Sequence, residues 1–148
     1  MLGKLVHWLR ILGQDVAYST RLTDLDLILK AKNEDRILIT KDFKLYQTSV
    51  KNKIKSFYVS SQNRAEVLAQ IQKTFGLSLD MDPTISRCPL CNCVLKSVTK
   101  QYAAKKIKNN TLLYYDEYWS CAKCESIYWH GSHWKNIAST LEKAKNFV

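Results

Sequence analysis

No apolar run in this 148-residue sequence approaches the ~18 residues that a membrane-spanning helix needs. Its amino terminus offers only an amphipathic pattern, interrupted by Lys4, His7 and Arg10, which is not the composition of an export signal. No internal repeat and no low-complexity segment is present, which excludes a solenoid. Acidic residues are outnumbered, 13 against 23 basic ones, leaving a formal charge of +10 and a pI near 9.4. That excess points to a polyanionic partner. Residues 1–80 carry 13 basic and 8 acidic groups and residues 81–148 carry 10 and 5, so neither half is merely a basic tail. A basic but simply solvated surface is the bland alternative.

What remains is a folded protein. Apolar residues make up 46% of the chain, enough for a buried core. Five cysteines, an odd number in metal-type spacing and without an export signal, indicate a reducing, cytoplasmic setting. Cys88-Pro89-Leu90-Cys91 is answered by Cys121-Ala122-Lys123-Cys124, each pair aiming two sulfurs at one point. Four thiolates around a tetrahedral ion are the usual arrangement for structural zinc, with Zn–S distances of about 2.3 Å. All four positions are then filled by protein, so no catalytic water can bind and the metal holds shape. A mononuclear iron satisfies the same spacing, and redox-active pairs would each want a strand-to-helix setting that neither has. Cys93 is expected to point away from this cage as a bystander.

The chain ahead of the cysteines alternates helix and strand. Leu2, Leu5, Leu9 and Leu12 have helical spacing, with Trp8 widening the stripe and Gly13 as a stop. Residues 15–18 are expected as a strand, then a helix over residues 24–33 capped by Thr23. Residues 36–40 form a near-continuous apolar run, the mark of a strand covered on both faces. A short helix over 43–46, a strand over 54–59 and a helix over 64–75 closed by Gly76 complete the rhythm. This predicts an α/β fold with a parallel sheet and flanking helices over residues 1–80. The rhythm opens on a helix, as though a leading strand were wanting. Residues 79–83 break the pattern as a linker, and residues 81–148 are expected as a small zinc ribbon. Strands are predicted there over 94–98 and 112–119, a helical or looped excursion over 101–107, and a helix over 134–148.

Ligands of open parallel sheets bind beyond the carboxyl ends of the strands. Asp42 stands at such an end, and Asp24 and Asp26 open the preceding helix. Carboxylates gathered in one concavity repel, and Mg²⁺ or Mn²⁺ relieves this while taking phosphate oxygens as further ligands. The three acids are therefore the candidate catalytic residues. Taken alone, Asp24 is also what a helix start favours. Lys4, Arg10, Lys41 and His133 are candidate nucleic-acid contacts, with Lys100, Lys105, Lys106 and Lys108 crowding the excursion among Tyr102, Tyr114 and Tyr115. Cations interleaved with aromatics suit phosphates plus stacked bases. Solvated lysines beside core tyrosines fit the same pattern. His133 could meet a phosphate, but packing together with Trp134 is the favoured expectation.

Met1-Leu2-Gly3-Lys4-Leu5 through Trp8-Leu9-Arg10-Ile11-Leu12-Gly13 resembles the opening of the Mut-seven C-terminal RNase domain, a PIN-like nuclease family. Arg36-Ile37-Leu38-Ile39-Thr40-Lys41-Asp42 resembles its second signature. Ser86-Arg87-Cys88-Pro89-Leu90-Cys91-Asn92, and Cys121 to Cys124 followed by Ile127-Tyr128-Trp129-His130-Gly131-Ser132-His133-Trp134, resemble its zinc-ribbon half. The resemblance implies a PIN-like domain fused to a zinc ribbon and metal-dependent cleavage of RNA, with Asp24, Asp26 and Asp42 at positions where the family carries acids. In the family a strand ending in an aspartate precedes the Met-Leu-Gly-Lys block, and this sequence opens at that block. An open sheet edge, covered by another segment or a protein partner, is the expectation. Either the sequence starts late, or a central strand and its carboxylate ligand are lost; in the second case weakened Mg²⁺ binding is expected. A catalytically inactive RNA-binding protein is the alternative, and the domain order, shared with an endonuclease that matures small-subunit ribosomal RNA, makes ribosomal RNA or the ribosome a candidate partner by analogy.

Overall fold

The structure, a computed structural model, describes residues 2–147. Helix α1 (Leu2–Ile11) buries Leu5, Val6 and Leu9. Gly13 ends it at φ +88°, where an added Cβ would meet the Ile85 side chain at 2.9 Å. Residues 14–19 form no strand and join no sheet among the described residues, unlike the strand expected over 15–18. Side chains have taken the backbone groups a ladder would use. The Val16 carbonyl accepts from Arg10, and its N–H donates to Asn92 Oδ1.

Helix α2 (Asp24–Asn33) starts at Thr23 with a reciprocal capping box to Asp26. Strands β1 (Leu38–Thr40) and β2 (Ser56–Tyr58) pair in parallel, Leu38 opposite Ser56 and Thr40 opposite Tyr58. Helix α3 (Phe43–Lys51) runs further than the single turn expected. Its second turn is held by buried Leu45 and Ser49, and the Ser49 hydroxyl donates to the Leu45 carbonyl at 2.6 Å. Helix α4 (Arg64–Phe75) is capped by Asn63 and ends at Gly76 with φ +74°.

The remainder is an antiparallel sheet, β3 (Lys96–Val98), β4 (Tyr118–Ser120) and β5 (Ile127–Tyr128), in that spatial order. Between β3 and β4 lie the short helices α5 (Lys100–Ala104) and α6 (Asn109–Leu112). The strand expected from residue 112 thus begins only at Tyr118, whose hydroxyl donates to the Tyr115 carbonyl at 2.7 Å. Helix α7 (Ser132–Lys145) returns to pack along α4. The expected helix end at Val148 lies outside the described residues.

Alternation in the strands separates two cores. Ile39 and Phe57 face a cluster built from Leu5, Leu9, Leu68 and Ile71, which Leu141 and Ala144 of α7 complete. Leu38 faces the other, with Ile28, Ala31, Leu45 and Ile54. Among the described residues β1 has a strand partner on one side only. A groove of about 540 Å³ is lined by Val16, Ala17, Tyr18, Ile37, Ile39 and Phe75, among others. No helix among the described residues is long and apolar enough to cross a membrane.

A polar seam ties α1 to the first cysteine loop. Arg10 is buried, and its guanidinium donates to the Val16 carbonyl at 3.1 and 2.8 Å and to the Pro89 carbonyl at 2.8 Å. The Arg10 carbonyl accepts from Arg87 N, and Ser86 Oγ donates to the Ile11 carbonyl at 2.6 Å. Asn92 Nδ2 donates to Asp15, whose carboxyl is held below the usual range by Asn92 first and Arg36 second. Asp15 therefore supports the seam at neutral pH and releases it only as pH falls through that lowered value. Replacing Arg10 by Met strands two carbonyls at a cost of about 2–3 kcal/mol. The melting temperature, followed by circular dichroism, should fall by roughly 5–10 °C.

Candidate metal centre and nucleic-acid interface

The two cysteine loops are built alike. In the first, Cys88 N–H donates to the Cys93 carbonyl at 2.7 Å and Asn92 N–H to the Cys88 carbonyl at 2.9 Å. In the second, Cys121 N–H donates to the Ser126 carbonyl at 3.0 Å and Glu125 N–H to the Cys121 carbonyl at 2.8 Å. The residue after each second cysteine turns left-handed, Asn92 at φ +73° and Glu125 at φ +58°. Such turns reverse the chain so tightly that both sulfurs of a pair face inward. The Sγ atoms of Cys88, Cys91, Cys121 and Cys124 all lie within 4.8 Å of one another and could hold a metal ion. The cluster is compatible with a zinc ribbon.

The surroundings suit thiolate ligands. Cys88 and Cys121 are buried. Cys124 N–H donates to Cys121 Sγ, and Tyr128 Oη lies 3.2 Å from Cys88 Sγ. Burial works to raise the Cys91 thiol, but the Cys93 N–H and the thiols of Cys121 and Cys124 outweigh it and bring it down. Cys124, hydrogen-bonded to Cys91, is pushed up to about 12. Cys93 stays outside the group of four sulfurs, as a bystander, but it does not point away as expected. It packs against the cluster of Cys88, Leu95 and Trp119, and the neighbouring Cys91 pushes its thiol up. The reversal at Asn92 folds residue 93 back onto the cage.

The acids are placed differently. Asp42 caps α3, its Oδ1 accepting from Lys44 N at 2.9 Å and Leu45 N at 3.2 Å. Asp26 closes the capping box of α2, held below the usual range by Thr23. Asp24 is exposed in the first turn of the same helix. Among the described residues, only the four cysteines converge as a group of three or more potential metal ligands. The expected concavity of Asp24, Asp26 and Asp42 is therefore not a preformed cage, because two of the three carboxylates are turned to helix N-termini.

The basic candidates divide. Arg10 is spent inside the seam, so its guanidinium is not presented to a ligand. Lys4 is exposed on α1, and Lys41 is half-buried at the end of β1. Lys100 pairs with Asp116 at 3.0 Å, and Lys106 lies 5.4 Å from the Tyr102 ring centre. Lys105 and Lys108 are exposed. The tyrosines beside them are not core: Tyr102 is 40% and Tyr114 78% exposed. His133 is exposed, whereas its neighbour Trp134 packs against His130, which itself stacks on Trp119 at 4.6 Å. Burial lowers His130.

No curated protein and no solved structure matches this chain. The family model described as the Mut7-C RNAse domain matches residues 1–141. With the four-cysteine cage and the parallel strand pair already in place, this match covers nearly the whole chain, and the protein belongs to the Mut7-C RNAse domain family.

Proposed function

We propose that this protein is a metal-dependent ribonuclease that grips RNA with its carboxyl-terminal half and cleaves phosphodiesters at the carboxyl edge of β1. Family membership supports the ribonuclease class. The observation that carries the RNA-facing part is the exposure of Tyr102 and Tyr114 among Lys100, Lys105, Lys106 and Lys108. Flat rings in water stack bases, and the ammonium groups around them neutralise phosphates. Ribosomal RNA is the substrate class we favour, on domain order alone. Five free thiols suit a cytoplasmic location. A protein segment pairing with the open edge of β1 belongs to the same proposal.

Zinc is the metal we assign to the cysteine cage, since a four-thiolate donor set suits it and leaves no open position. Metal binding takes cysteine as thiolate, and the hydrogen bond to Cys91 pushes the Cys124 thiol up, so binding must expel protons. Metal affinity, measured by competition with a chromogenic chelator, should climb as pH rises from about 6 to about 8. A pH-independent affinity would sink the assignment.

For cleavage, Mg²⁺ or Mn²⁺ would supply charge neutralisation at the phosphate. Asp42 is the residue best placed to hold it, because both helix-capping bonds fall on Oδ1 and leave Oδ2 for an ion. Asp24 and Asp26 are the further candidates, and Mg²⁺ commonly takes only one or two carboxylates beside water and substrate oxygens. Asparagine caps helices as well as aspartate does, so Asp42→Asn removes charge while keeping α3. Ribonuclease activity with Mg²⁺ should fall about a hundredfold or more in that variant, and equal activity would remove Asp42 from the mechanism.

RNA binding without cleavage is the second reading, favoured by the dispersion of the three acids. It retains the ribbon interface. Changing Lys105 and Lys108 to Gln should weaken RNA binding across sequences and reduce the salt slope by about one per lysine. An unchanged slope would exclude phosphate contacts at these positions.

A further inference from the structure

A second aromatic group lies at the carboxyl edge of the parallel sheet. Phe43 is the first residue of α3, directly after the cap Asp42, and Tyr58 ends β2 opposite Thr40. Phe43 meets Tyr58 edge to face at 5.3 Å, and Tyr46 closes the triangle at 6.1 Å from Phe43 and 5.8 Å from Tyr58. The two tyrosines are half-buried and fix the base of the group, while Phe43 leaves 52% of its surface in water.

The turn that presents this ring is held firmly. Thr40 Oγ1 accepts from Asp42 N at 3.0 Å, and Asp42 Oδ1 accepts from Lys44 N and Leu45 N. A half-exposed phenylalanine on a fixed turn costs little ordering entropy when a flat partner covers it. Lys41 and Lys44 flank it in sequence, the latter exposed. The exposed Lys44 ammonium complements a phosphate chain, which an apolar protein surface would not use.

We propose that Phe43, seated on Tyr46 and Tyr58, is a base-stacking platform for single-stranded RNA at the edge where Asp42 stands. This rests on the RNA-directed reading above and adds to it a positioning residue outside the ribbon. A base stacked on Phe43 would set the adjoining phosphate near the Asp42 cap. Duplex RNA, with its bases already stacked, could not use the ring, so the platform favours unpaired segments.

The test is fluorescence anisotropy of the full chain with a labelled oligoadenylate and with an abasic ribose-phosphate oligomer of equal length. Base stacking lost by alanine substitution corresponds to about a five- to hundredfold loss of affinity. Phe43→Ala and Phe43→Leu should each lose that much for oligoadenylate, whereas Phe43→Trp keeps or gains affinity. The abasic oligomer should bind all four proteins alike. The salt slope should not change, since no ion pair is removed. If leucine binds as tightly as phenylalanine, or the abasic oligomer loses as much as oligoadenylate, the platform is overturned and the patch becomes a protein-docking surface. Because leucine keeps the apolar contact with Tyr58, a folding defect confined to alanine leaves the leucine and tryptophan comparison decisive. Phe43-dependent binding with no cleavage under any ion would sink the ribonuclease reading and leave this one standing.

Discussion

The structure depends on one buried cation. Arg10 lies where the end of the first helix meets the first cysteine loop, and its guanidinium serves one carbonyl of the segment after that helix and one of the loop. A buried charge is tolerated only when its donors are met by fixed acceptors. Here Val16 and Pro89 meet that condition only if residues 16 and 89 are both in their native places. The consequence is a shared geometry: the loop that aims Cys88 and Cys91 is referenced to the helix that carries the α/β core. Asn92 adds to it from the other side, turning left-handed to close the cysteine loop while its side chain bonds to Asp15 and Val16. One residue thus serves the metal turn and the seam.

Much of the fold was legible because its cause is local. Thr23 followed three residues later by Asp26 is a capping pattern, and Gly13 and Gly76 end helices through a backbone conformation that they alone adopt cheaply. The cysteine pairs were legible because metal geometry fixes their spacing. Other features depend on partners remote in sequence. Nothing local shows that Val16 would spend its backbone on Arg10 and Asn92 and so fail to pair as a strand. The length of α3 goes with burial of Leu45 and Ser49, Leu45 against Ile28 and Leu38 from elements remote in sequence, which local spacing does not encode. Arg10 looked like a surface cation because charge is visible in a sequence and burial is not.

The candidate site divides along the same line. The sulfur cage could be assembled from spacing alone, but the return of Cys93 to it depends on the left-handed Asn92. The acids could be placed at the starts of helices, and the structure keeps them there. What spacing left open was whether their carboxylates meet, and two of them are committed to backbone amides instead. Tyr102, Tyr114 and Tyr115 were ambiguous between core and surface until the structure exposed Tyr102 and Tyr114 and left Tyr115 half-buried.

The return of α7 to α4 has an outcome for synthesis on the ribosome. Leu68 and Ile71 emerge well before the side chains that cover them, Leu141 and Ala144, which follow 73 residues later in each case. At about 5–20 residues per second, a nascent chain would carry that uncovered apolar stripe for several seconds. Closure of this core therefore waits for α7, whose Lys145 pairs with Asp80 at 2.7 Å.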